Sequence, residues 1–125
     1  MSYDLHITRT DLWINSEKTP ITYAEWQAYV ESDPELTWEG WTDWKDCGRI
    51  LTAAWSGDTS GEPQSPLCWH RGEIFAPYPS RQTTAKMVAI AEVLGAKVVG
   101  DDDEQYGPDG EAIFQEWPDM PEQMP

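Results

Sequence analysis

The chain has 125 residues with 23 Asp and Glu against 8 Lys and Arg, a formal net charge of −15 at pH 7. Acid at this density repels nucleic acid and anionic lipid, so direct binding to either is not expected, and it attracts a basic partner. The length suits one domain, which buries about 65% of the surface that its unfolded chain exposes, enough for a single core.

In chain order, residues 3–9 (YDLHITR) alternate, with Tyr3, Leu5 and Ile7 on one side and Asp4, His6 and Thr8 on the other. That pattern predicts a half-buried strand. Thr22 and Glu25 have capping-box spacing, and Ile21 and Trp26 occupy the two hydrophobic-staple positions around the same cap. A helix over 23–31 follows, with Trp26, Tyr29 and Val30 inward, and it stops at Asp33-Pro34. Residues 36–48 are acidic, rich in Trp and interrupted by Gly40, which predicts a loop with one helical turn.

Residues 49–55 (RILTAAW) predict a strand, and 56–66 a Gly- and Pro-punctuated connection. Residues 67–71 and 73–76 flank Gly72 as the arms of a tight hairpin, closed off by Pro77 and Pro79. Ser80 caps a second helix over 81–94, where Met87, Ile90, Ala91 and Leu94 recur at helical spacing, and Gly95 is its expected left-handed cap. A short strand over 96–99 ends the regular structure. The order strand, helix, three strands, helix, strand predicts an α+β fold, a mainly antiparallel sheet with two helices packed on one face. Its expected core is one cluster of Leu5, Ile7, Trp26, Tyr29, Val30, Ile50, Trp69, Met87, Ile90, Ala91, Leu94 and Val98.

The acid is concentrated in two places. From Asp101 onward there are nine acidic side chains and no Lys or Arg, an acidic tail in which disorder is credible on composition. Residues 31–46 carry six acids against Lys45, together with Trp38, Trp41 and Trp44. Two readings of these tryptophans compete: they close the core beneath a loop, or they are partly exposed anchors for a partner. In the second reading, Trp38, Glu39, Trp41, Asp43, Trp44, Asp46, Asp101, Asp102, Asp103 and Glu104 form one partner-binding surface, with tryptophan as anchor and carboxylates as rim.

The segments YDLHITR, ITYAEWQAYVESDPEL, the strand pair around 69–75 and TTAKMVAIAEVLGAKVVGDDDEQYG together resemble a set of small uncharacterised bacterial α+β proteins. The resemblance spans 3–36 and 67–106 and implies the same layout, without an activity. In size and charge the chain is also similar to immunity proteins that neutralise a toxin domain, an analogy that assigns no residues.

Catalytic and metal chemistry find little support. Cys47, Cys68, His6 and His70 are four potential zinc ligands, but Cys68 and His70 have one residue between them, where structural sites usually have two or more. Buried thiols and half-exposed imidazoles are the simpler reading. The run Asp101-Asp102-Asp103-Glu104 has Tyr106 and Ala112 where an EF-hand loop needs Gly and Glu. Cys68 and His70 share a strand face without a nucleophile elbow or a phosphate loop. Whether Cys47 and Cys68 pair is left open by their spacing. No signal segment and no apolar run of membrane length is present, so a soluble cytoplasmic protein is expected.

The sequence therefore predicts a non-enzymatic acidic interaction protein without cofactor or metal, an inhibitor or immunity protein that occludes a basic partner such as a toxin domain. The alternatives are a nucleic-acid mimic aimed at a DNA-binding protein and a small metal-dependent enzyme. Acidity for solubility alone also accounts for the charge.

Overall fold

The structure, a computed structural model, describes residues 3–44 and 48–113, and for 41–44, 48 and 49 it describes the backbone alone. The strands are β1 (Asp4–Thr8), β2 (Leu36–Trp44), β3 (Gly48–Trp55), β4 (Leu67–His70), β5 (Glu73–Pro77) and β6 (Lys97–Gly100). The helices are α1 (Tyr23–Ser32) and α2 (Arg81–Leu94), and a 3₁₀ helix runs over Trp13–Lys18. All six strands form one antiparallel sheet in the order β2-β3-β4-β5-β1-β6. The fold is α+β, as the periodicity predicted.

Alternation along the strands decides which residues meet the helices. Leu5 and Ile7 of β1, Leu51 and Ala53 of β3, Leu67 of β4, Ile74 and Ala76 of β5 and Val98 of β6 point to one face. There they join Trp26 and Val30 of α1 and Met87, Ile90, Ala91 and Leu94 of α2 in a single buried cluster, so both helices pack on the same face. Tyr29 and Trp69, expected inside, are only partly buried against it. Ile50 is a correction: it is fully buried, but with Cys68 and Phe75 in a small cluster apart from the main core. Its β3 neighbour Leu51 already faces the helices, and adjacent strand residues take opposite faces.

The capping signals are realised in full. Thr22 Oγ1 accepts from the Glu25 N–H at 3.1 Å, and Glu25 Oε1 accepts from the Thr22 N–H at 2.9 Å. Glu25 also takes a two-pronged ion pair from Arg9, at 3.0 and 2.7 Å, tying the cap to the end of β1. Thr22→Ala is expected to lower stability by about 1 kcal/mol, read as a shifted urea midpoint, because one helix-end amide loses its acceptor. An unmoved midpoint would show that the cap contributes nothing. Ser80 caps α2 by accepting from the Thr83 N–H, and Gly95 closes it in the left-handed region at φ 67°.

The predicted loop at 36–48 is corrected: residues 36–44 are the edge strand β2. Its alternation was hidden by one extra residue. Trp38 lies opposite Ala53 and Gly40 opposite Thr52, so Glu39 is the added residue of a β-bulge and Gly40 takes φ 91°. Across that bulge a spacing of three on β2 matches a spacing of two on β3, since Trp38 opposes Ala53 and Trp41 opposes Leu51. The spacing Trp-x-x-Trp, which would fit one side of a helical turn, here belongs to a bulged strand.

β1 was expected to be half-buried and is buried on both faces, since His6 and Thr8 are 3% and 0% exposed. The 3₁₀ helix lies over them: Thr8 Oγ1 meets Ser16 Oγ at 2.7 Å, and Trp13 stacks on His6. A two-residue turn at Arg71 and Gly72, φ 52° and 87°, brings the β4–β5 hairpin against the same segment. A Cβ on Gly72 would stand 2.8 Å from Pro20 Cβ, while the Gly72 carbonyl accepts from the Ile21 N–H at 2.9 Å. Glycine is needed there for both dihedral and space. Among the described residues no helix is long and apolar enough to cross a membrane.

Candidate functional site

The densest polar cluster lies on the second face of the sheet, where β1, β5, the 3₁₀ helix and the turn after β6 meet. Antiparallel register sets His6 of β1 opposite Phe75 of β5 and Val99 of β6. His6 Nδ1 lies 2.5 Å from Glu73 Oε1, and Nε2 lies 2.8 Å from Asp101 Oδ1. A neutral imidazole has one N–H, so donation to both carboxylates requires the imidazolium. Burial disfavours that charge, but Glu73 and then Asp101 outweigh it and hold the imidazole above its ordinary range. The Trp13 ring stacks on it at 4.1 Å between centroids, with planes 3° apart, adding a cation–aromatic contact on one face.

The turn after β6 is locked by the same group of residues. Asp101 Oδ2 accepts from the Asp4 N–H at 3.0 Å, and the Asp101 carbonyl accepts from the Trp13 indole at 3.1 Å. Asp103 Oδ1 accepts from the Trp13 backbone N–H at 3.1 Å, and Asp103 itself sits in the left-handed region at φ 66°. Glu104 Oε2 accepts from Tyr3 and from Tyr106, whose hydroxyl is pushed up to about 12 by burial and by that carboxylate. Asp102 is exposed. Residues 101–113 of the acidic tail are thus folded, with bridges Val99–Gln105 and Tyr106–Ala112.

A cavity of about 330 Å³ opens beside His6, lined by Asp4, Trp13, Ile14, Glu17, Glu73, Phe75 and neighbouring residues of the hairpin turn. Along β4 on the same face, Cys68 is a free, buried thiol that burial pushes up to about 11, with the Thr52 hydroxyl 3.9 Å from its sulfur. It stays a thiol at neutral pH, which is the wrong state for a nucleophile. Among the described residues no three His, Cys, Asp or Glu side chains are grouped to hold a metal ion. Comparison with protein families, curated proteins and solved structures found no match.

Of the ten residues assigned to a partner surface, the described ones fall into two separate groups. β2, with Trp38, Glu39, Trp41, Asp43 and Trp44, is one edge of the sheet, and the turn at 101–104 follows β6 at the other. Five strand spacings separate the edges, about 24 Å. Trp38 is half-buried, edge-on to Trp26 at 6.2 Å and 87°, so it closes the core, whereas Glu39 is exposed at the bulge. For Trp41, Asp43 and Trp44 the backbone alone is described, and Asp46, like Cys47, lies outside the described residues. Of the four acids after β6, Asp101, Asp103 and Glu104 serve internal donors.

His6, expected half-exposed and weighed only as a zinc ligand, is buried, and nothing in the sequence points to Trp13. The strand alternation did place His6 beside Asp4 on one face, but its partners are 67 and 95 residues away.

Proposed function

We propose that the protein is a non-enzymatic acidic interaction protein that docks on a basic protein partner, as an inhibitor or immunity protein does on a toxin domain. One observation carries the reading: the excess acid is left without compensation on the surface. Of 8 Lys and Arg in the chain, Arg9, Arg81, Lys86 and Lys97 are each held in ion pairs with the protein's own carboxylates. Exposed acids such as Glu39, Asp102 and Glu17 then face solvent with few cations to balance them. A basic partner is steered toward such a field and its association is accelerated at low salt. The nucleic-acid-mimic alternative needs rows of outward carboxylates, and three of the four consecutive acids after β6 turn inward.

The test is kinetic. Affinity capture at low salt should return a partner with a basic surface, and its association rate with the pure protein should fall at least tenfold when ionic strength rises from about 0.05 to 0.5 M. Charge reversal of Asp43 and Asp46 should slow association and flatten the salt dependence, whereas Trp41→Ala should mainly speed dissociation. A captured partner with a neutral or acidic surface, or salt-independent association, would remove the reading.

A further inference from the structure

We propose that the outer edge of β2 is where the basic partner docks, by laying one extended segment that carries Lys or Arg alongside it as a seventh strand. This names the mode of the docking reading above and rests on it.

The backbone of β2 sets what the edge offers. In an antiparallel pair, residues bonded to the neighbouring strand alternate with residues turned away from it. The Ser56 N–H donates to the Glu35 carbonyl at 3.0 Å, which fixes that alternation between β2 and β3. Thr37, opposite Ala54, is therefore turned toward β3, and the backbone groups of Leu36 and Trp38 are turned outward. The Asp33 carbonyl takes the Leu36 N–H at 3.0 Å, so the open groups here are the Leu36 carbonyl and both groups of Trp38. Past the bulge the register moves by one residue, and the outward positions become Trp41 and Asp43, opposite Leu51 and Arg49. Among the described residues no strand pairs with this edge. Such an open row is the template on which an extended peptide adds a strand.

Charge decides which strand fits. β2 (LTWEGWTDW) has two acids and no Lys or Arg, and Glu39 is exposed at the bulge. Opposite charges across a strand pair stabilise it and like charges weaken it, so an incoming Lys or Arg beside Glu39 is favoured over an acid. Residues 114–125 of the chain itself suit the edge poorly. They carry three acids, no Lys or Arg, and three prolines without an N–H to donate.

The experiment adds acetyl-KVKVKV-amide to the full chain at low salt and follows amide hydrogen exchange by NMR. Exchange at Trp38, Trp41 and Asp43 should slow about fivefold, while Thr37 and Thr42, whose amides face β3, should not change. Trp41→Pro should weaken the peptide about tenfold relative to Trp41→Ala. Both variants lose the indole, and only proline loses the outward N–H, with no bond to β3 broken. Should the proline variant fail to fold, the alternation of wild-type amides decides alone. Protection without that alternation, no protection, or equal binding by folded Pro and Ala variants would overturn the proposal. So would an equal effect of acetyl-EVEVEV-amide, or a dimer that protects the same amides without peptide. The docking reading fails separately. It falls if the captured partner associates independently of salt, and it survives a silent peptide if that association still depends on salt.

Discussion

His6→Ala is expected to lower the unfolding free energy by about 3–5 kcal/mol, the usual cost of removing one partner from a buried ionic cluster. Glu73 and Asp101, 12% and 31% exposed at their side chains, would be left facing each other without the imidazolium between them. Trp13 would lose its stacking partner as well. Charge is separable from packing through pH. The folded-state pKa of His6 is raised above its ordinary 6.5 because Glu73 and Asp101 outweigh burial. The contribution is therefore complete below about pH 6.5 and declines as pH rises through the folded value. The groups that face the ring are Glu73, Asp101 and Trp13, with Asp4 beside them in the cavity wall. The wild-type urea midpoint should fall as pH rises above about 6.5, and His6→Gln should flatten that fall. A wild-type midpoint that stays level or rises above that pH would rule out the charged form.

Trp26→Ala is expected to cost a similar amount, about 3–5 kcal/mol, through loss of burial and the cavity left behind. Trp26 is 0% exposed, parallel to Tyr29 at 6.4 Å and edge-on to Trp38 at 6.2 Å. Its indole N–H finds no acceptor among the described residues. Trp26→Phe should therefore cost less than half as much, because most of the ring remains and a buried unsatisfied donor is removed. Since Trp38 leans on this ring, hydrogen exchange should show β2 amides losing protection in Trp26→Ala before those of β1 do. Equal melts for the Phe and Ala variants would mean that the indole nitrogen, not the ring, carries the effect.

How much of this was legible in the sequence depends on the range of the interactions concerned. Thr22, Glu25, Ser80 and Gly95 act within one helical turn, so spacing alone located both helices and their ends. β2 failed for a local reason: the residue added at Glu39 broke the period-two pattern, and Gly40 looked like a loop glycine. The segment 10–20 carries no apolar period to mark it, yet its 3₁₀ helix covers β1 and β5. The His6 cluster was out of reach because a carboxylate at 73 or 101 looks like any other acid in a chain this rich in them. Only the sheet order brings those two acids to either side of one imidazole.

The two borders of the sheet are not equivalent. Gln105 pairs with Val99 on the outer side of β6 and closes that border, while among the described residues no strand lies beyond β2. Among the described residues strand addition is thus open at β2 alone, and copies that join edge to edge there form a closed pair rather than a fibre. Even that pair is hindered. The bulge at Glu39 throws the outer row of amides and carbonyls out of step midway along β2, leaving two short runs in place of one long template. A carboxylate at the break adds repulsion between like edges. The acidity that would draw a basic partner thus also works against pairing between like edges.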